Sequence, residues 1–126
     1  MTVKFSNDKP IFLQLADLIK SEILSGKYKI NEKLPSVREF ALEFQVNPNT
    51  VQKALQILEE EKLIITDRTN GKFVAGSTNQ IESQKNKIVK QEIALFFEKM
   101  KSLGLDIMEI KSVASSSKFF RIVCKI

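Results

Sequence analysis

KLPSVREFALEFQVNPNTVQKAL, residues 33–55, holds two short helical patterns with almost nothing between them. In the first, Val37, Phe40, Ala41 and Phe44 recur at the spacing of one helix face. In the second, Val51, Ala54 and Leu55 do the same and lead on to Leu58. Ser36 with Glu39 three residues later is a capping box, each side chain satisfying a free backbone amide of the other. Asn47 before Pro48 is a second helix start, an amide cap followed by a residue with no N–H to lose. Only Gln45 and Val46 separate the two patterns, so the helices must cross steeply to share one core.

Working outward, Phe12, Leu15, Ala16, Ile19 and Ile23 mark an earlier helix from Pro10 to about Ser25, stopped by Gly26. The stretch KYKINEKLP then reads as an extended link. Downstream of Glu61, the run Leu63 to Ile65 leads into TDRTNGKFV, where the Asn70-Gly71 pair between extended residues is a strong hairpin signal. The expected fold class is mainly α: a winged helix-turn-helix of three helices plus a β-hairpin wing over residues 1–76, followed by a C-terminal helical dimerisation segment over 77–126.

That second segment opens with GSTNQIESQKNK, residues 76–87, which has few apolar residues and reads as a linker merging into a new helix. Val89, Ile93, Phe96, Met100, Leu103, Ile107 and Ile110 then repeat in steps of four and three, a coiled-coil-like seam interrupted by Gly104. About fifty residues are too few to bury this many apolar groups among themselves. The seam therefore pairs with a second copy, or else folds back as a helical hairpin. The tail SSSKFFRIVCKI reads as a loop and a short strand.

Composition narrows the function classes. The chain has 126 residues, 43% of them hydrophobic, with one cysteine and no histidine. A lone Cys124 forms no internal disulfide, and without histidine the usual zinc sets and the Ser/His/Asp and Cys/His nucleophile arrangements are missing. None of the four glycines builds a phosphate loop. These features predict no catalytic residues, no metal and no cofactor, hence a binding protein rather than an enzyme. The longest apolar stretches, such as IALFF at residues 93–97, are too short to span a bilayer, and the N-terminus lacks an apolar signal core, so a cytoplasmic protein with no membrane partner is expected. The net charge of +5 suits a polyanion. Residues 1–76 nevertheless carry 11 Lys and Arg against 10 Asp and Glu, so the position of the charges matters more than their sum.

In a DNA-binding helix-turn-helix the second helix enters the major groove and its first turn reaches base edges. With positions 51, 54, 55 and 58 buried, Asn47, Asn49, Thr50, Gln52, Lys53 and Gln56 point elsewhere. Asn and Gln can pair with adenine, Lys with guanine or phosphate, and Thr50 at a helix start suits a phosphate. No acidic residue interrupts this surface before Glu59. Arg38 could fork onto guanine, clamp a phosphate, or serve as an ordinary ion-pair partner. Arg68, Asn70 and Lys72 surround the wing turn, placed to enter a minor groove or follow the backbone. Taken singly each residue reads as a solvated polar group; the combination is what points to nucleic acid.

The stretches PIFLQLADLIKSEILSGKY, KLPSVREFA, VNPNTVQKAL, LEEEKLI and GKFV, about residues 10–75, resemble the DNA-binding domain of the GntR family of bacterial transcription regulators. LPSVRE followed by VNPNTV is highly specific. The short C-terminal segment resembles the YtrA-type subfamily, whose extra helices serve dimerisation. The resemblance implies DNA contacts from Ser36 and Arg38, from Asn47, Asn49, Thr50, Gln52 and Lys53, and from Asn70, Gly71 and Lys72 with Arg68 just before them. It departs at Asn31, Gln45 and Thr69, where family members commonly carry glycine, so altered geometry is expected at the turn between the second and third helices and in the wing.

The expected function is a sequence-specific regulator, read as a repressor, that binds a palindromic operator in double-stranded DNA as a homodimer. The sequence leaves room for a small-molecule effector without marking residues for it. A protein-interaction adaptor built on the same winged helix is the competing reading, and a small-molecule enzyme has almost no support.

Overall fold

The computed structural model describes residues 4–124; the last two residues of the tail, read above as part of a strand, lie outside them. The chain divides into two compact units, one ending at Lys85 and the other beginning at Asn86.

In the first unit, Pro10 precedes α1 (Ile11–Leu24), and Leu15, Ala16, Ile19 and Ile23 lie on its buried face as the four-and-three spacing requires. Ser36 caps α2 (Val37–Phe44) through the expected capping box. Asn47 caps α3 (Pro48–Glu60) by accepting the Asn49 amide at 2.8 Å. Phe40, Ala41 and Phe44 from α2 and Val51, Ala54, Leu55 and Leu58 from α3 are buried with the α1 face. Each large side chain in this set contributes about 1.5–3 kcal/mol on burial. β1 (Ile64–Asp67) and β2 (Gly71–Val74) pair antiparallel, with Ile64 opposite Val74 and Asp67 opposite Gly71. Leu63, Ile64 and Val74 close the core beneath the hairpin.

The wing differs from expectation in two ways. The link before α2 is tied to its outer edge by an isolated β-bridge: Lys33 bridges Phe73, the Leu34 amide donates to the Lys72 carbonyl at 2.8 Å, and the Val74 amide donates to the Glu32 carbonyl at 2.9 Å. The turn itself has three residues, Arg68, Thr69 and Asn70, because the strands are in register at Asp67 and Gly71. Gly71 takes the left-handed conformation, φ +103°, so Asn-Gly does not form the two-residue turn. Thr69 stays out of that region and needs no glycine.

Among the described residues, four helices end in the same motif, a left-handed residue followed by an amide that reaches back five residues. The left-handed residues are Gly26, Gln45, Lys62 and Gly104, and the closing bonds run from Lys27 to Glu22, Val46 to Ala41, Leu63 to Leu58 and Leu105 to Met100. Gln45, at φ 54° and ψ 49°, carries the strain its substitution for glycine implied. Replacing it by glycine relieves a Cβ clash of about 1–2 kcal/mol, of which the greater freedom of glycine in the unfolded chain takes back about 0.5–1 kcal/mol. Gln45→Gly is accordingly expected to raise the thermal midpoint by a few degrees in a calorimetric scan; an unchanged or lower midpoint would show that the turn is not strained.

Residues 76–87 are not a linker. α4 (Thr78–Ser102) starts almost at once, with Ile81 buried. Gln80 and Gln84 each donate a side-chain amide to the Glu61 carbonyl, at 3.0 and 3.3 Å, so their polarity serves the C-terminal end of α3 rather than a solvated chain. Glu61 also pairs with Lys20 of α1.

In the second unit, α4 ends before Gly104, and α5 (Ile107–Ala114) follows behind a capping box of Asp106 and Glu109. The tail forms α6 (Ser117–Cys124) instead of a loop and strand. Its apolar residues Phe119, Ile122 and Val123 follow a helical spacing with Lys118 and Arg121 on the other arc, a period that outweighs the strand preference of aromatic and β-branched residues. Val89, Ile93, Phe96, Leu103 and Ile107 of the seam are exposed, while Met100 and Ile110 are half-buried. Phe97, Leu105, Ile107, Met108 and Ile110, with Lys101 and Asp106, line a largely apolar cavity of about 530 Å³ in this unit.

Candidate nucleic-acid interface

α3 presents two opposite faces. Val51, Ala54, Leu55 and Leu58 are 0% exposed, whereas Asn49, Gln52, Lys53 and Gln56 are exposed at helical intervals of three and four. Thr50 is half-buried at the edge of that stripe. Capping occupies only part of the polar capacity. Asn47 spends its side-chain oxygen on the Asn49 amide and keeps its NH₂, and Ser36 accepts from the Glu39 amide at 3.1 Å and keeps its hydroxyl proton. Asn49 and Gln52 make no side-chain hydrogen bond among the described residues, so both ends of each amide can pair with a base edge.

Arg38 is exposed near the start of α2 and joins none of the ion pairs among the described residues. The ion-pair reading of this residue loses its basis, and the guanidinium is available to an external anion. Glu39, beside it, accepts the Ser36 backbone amide, which holds its carboxyl below the usual range; it is a cap fixed in the charged form.

Asp67 organises the wing. Its carboxylate accepts from the Thr69 amide and hydroxyl, both at 2.9 Å, and from the Asn70 side-chain amide at 3.2 Å. These bonds, the Thr69 amide first, hold its pKa below the usual value. A lowered folded pKa means that the stabilisation is present above the unfolded pKa of about 4 and is lost as pH falls through the lower folded value. At neutral pH the turn is therefore set by one ionised carboxylate, with Arg68 displayed beside it.

A cleft of about 530 Å³ lies between the start of α2, α3 and the wing, and Ser36, Gln52, Arg68, Asn70, Gly71 and Lys72 line it. Arg38, Asn47, Asn49, Thr50 and Lys53 lie outside it, on α2 and α3. Lys53 rests its ammonium 5.6 Å from the ring centroid of Phe12 on α1, a cation–π contact the sequence pattern did not show. Lys72 is less free than its position implied: its ammonium donates to Thr66 at 2.8 Å and lies 3.8 Å from Glu59 of α3. Lys33, which sequence reasoning passed over, also lines the cleft; only its bridge to Phe73 reveals that it belongs there. Among the described residues no cluster of His, Cys, Asp and Glu could hold a metal ion, and no helix is long and apolar enough to cross a membrane.

Residues 12–74 match the family described as bacterial regulatory proteins, gntR family. The HTH-type transcriptional regulator YhcF of Bacillus subtilis is 37% identical over 83% of this chain and 87% of its own length. The HTH-type transcriptional repressor YtrA of the same organism is 37% identical over 77% and 70%. A GntR family transcriptional regulator from Listeria monocytogenes superposes with a TM-score of 0.82 at 39% identity, covering 86% of this chain and 95% of that one. The AraR DNA-binding domain, solved in complex with operator ORR3, superposes with a TM-score of 0.53 at 28% identity, covering 60% of this chain and 90% of that one. These relatives are transcriptional regulators and not enzymes, and the match to YhcF and to the Listeria regulator extends past the winged helix into the C-terminal helices. The chain belongs to the gntR family of bacterial regulatory proteins, with YtrA-type relatives, and is a DNA-binding transcriptional regulator.

Proposed function

We propose that this regulator is a cytoplasmic repressor that binds a palindromic operator as a homodimer, residues 1–76 reading DNA and the helices from residue 77 onward pairing two copies. The supporting observation is the two-faced α3, with an uninterrupted non-acidic stripe opposite a fully buried one. Asn49, Gln52 and Lys53 read base edges from the first turns of α3 in the major groove, with Asn47 and Thr50 at its start. Ser36 and Arg38 clamp the adjoining phosphate or guanine from α2, and Arg68, Asn70 and Gly71 bring the wing to the flanking backbone, while Lys72, expected above to join them, holds the wing against α3 through Thr66 and Glu59. The seam of Val89, Ile93, Phe96, Met100, Leu103, Ile107 and Ile110, exposed or half-exposed in the single chain, supplies the pairing surface. Monomeric soluble proteins rarely leave a contiguous apolar surface of this kind open to water. Two-fold symmetry then sets half-sites about 10 base pairs apart or a multiple of that.

On an operator selected from random duplexes, Asn49→Ala is expected to relax base choice at one position per half-site, at a cost of about 1–3 kcal/mol. Arg38→Ala is expected to weaken binding at least tenfold. Unchanged affinity and salt dependence for both variants would overturn this reading, and absence of any retardation by the wild-type protein at low salt would favour the adaptor instead.

A further inference from the structure

Two lysines flank the wing, and only one is free to meet a phosphate. Lys72 of β2 sits between the Thr66 hydroxyl and the Glu59 carboxylate, with its side chain 19% exposed. Lys33 is exposed and joins no ion pair among the described residues. It stands on the link bridged to β2, its backbone fixed by the bonds from Leu34 to Lys72 and from Val74 to Glu32 on either side. Its stem crosses the wing where Gly71 has no side chain: a Cβ there would lie 3.3 Å from the Lys33 Cε and 4.0 Å from its ammonium. The stem therefore lies along the wing's own backbone, and its head reaches the cleft that Ser36, Gln52 and Arg68 share.

The acidic groups that line the same cleft as Lys33 are already committed. Asp67 gives its oxygens to Thr69 and Asn70, and Glu39 accepts the Ser36 amide. Lys33 does stand near enough for its charge to help keep the Glu39 carboxyl ionised, a smaller effect than the hydrogen bonds. Neither carboxylate closes an ion pair on it, and the exposed side chain stays available to a stronger anion.

We propose that Lys33 is a further DNA-binding residue, the cation that holds a backbone phosphate at the mouth of the cleft between α2 and the wing, while Lys72 serves to tie the wing to α3. The proposal rests on the DNA-reading function above and adds a contact outside its assigned residues. It also gives Gly71 a second role beyond its left-handed φ, since any side chain there would press on the Lys33 stem.

Affinity for the selected operator, measured between 50 and 200 mM salt, tests this. Lys33→Gln keeps a stem over Gly71 and removes only the charge. It is expected to flatten the plot of log K against log salt by about one unit per half-site and to lower affinity about five- to tenfold at 0.1 M salt, equally on matched and mismatched operators. Lys72→Gln is expected to leave the salt slope unchanged. Melting of Lys33→Gln should match wild type, which separates loss of charge from loss of fold. Unchanged slope and affinity for Lys33→Gln, with Arg38→Ala still weakening binding, would overturn the assignment while leaving the DNA-reading function intact. A slope lost with Lys72→Gln instead would reverse the roles of the two lysines.

Discussion

Phe40→Ala is expected to destabilise the DNA-binding unit by about 3–5 kcal/mol, enough to remove much of the 5–15 kcal/mol available to a domain of this size. Phe40 is fully buried where α2 meets the core, and its ring stacks on Phe44 with centroids 5.9 Å apart. Truncation loses the transfer energy of the ring and leaves a cavity that cannot collapse, since α2 is a helix of only eight residues pinned by its capping box and by the strained turn at Gln45. α2 has no independent means of holding α3, so the turn between them should loosen and operator affinity should fall with the folded fraction. Urea unfolding followed by helical circular dichroism is the measurement. Leu42→Ala on the same helix is the control: Leu42 is 74% exposed, and its loss should cost no more than about 0.5 kcal/mol. Similar midpoints for the two variants would mean that α2 does not pack as described.

The part of the fold legible in the sequence is the part written in local rules. The three helices of the first unit, their caps at Ser36 and Asn47 and the buried residues of α3 all follow from spacing and cap chemistry within a few residues. What escaped depends on partners distant in sequence. Gln80 and Gln84 look like linker residues until the Glu61 carbonyl, 19 and 23 positions earlier, gives their amides a task. Lys33 looks like a solvated lysine until the link it stands on bridges to β2. Lys62 takes a left-handed conformation, φ 62°, that no glycine announced, because the buried Leu63 and Leu58 and the bond between them close the end of α3 around it. The candidate site divides in the same way. The stripe on α3 is a matter of helical period, but the commitment of Lys72 to Glu59 and of Asp67 to the wing turn required the tertiary contacts.

The largest effect on operator binding is expected from the seam rather than from any residue that meets DNA. Ile93 and Phe96 are each 48% exposed in the single chain. Replacing both by glutamate therefore introduces no buried charge into the monomer, and the melting of the first unit should stay as in wild type. In a homodimer joined through this surface the same substitutions place four carboxylates in an apolar interface, at a cost of several kcal/mol with no cation opposite them. Sedimentation should then report a shift from dimer to monomer. Because two linked modules gain about 10²–10⁴ in avidity over one, affinity for a full operator should fall by at least about a hundredfold while affinity for an isolated half-site is unchanged. A helical hairpin folded within one chain makes the opposite prediction: the wild type is already monomeric, and the full operator binds no better than its half-site. Gly104 allows either arrangement, since a left-handed glycine with φ +80° ends α4 where a hairpin would also need to turn. The exposed seam is what favours the dimer, because a hairpin would have covered Val89 and Leu103, which are instead 52% and 65% exposed.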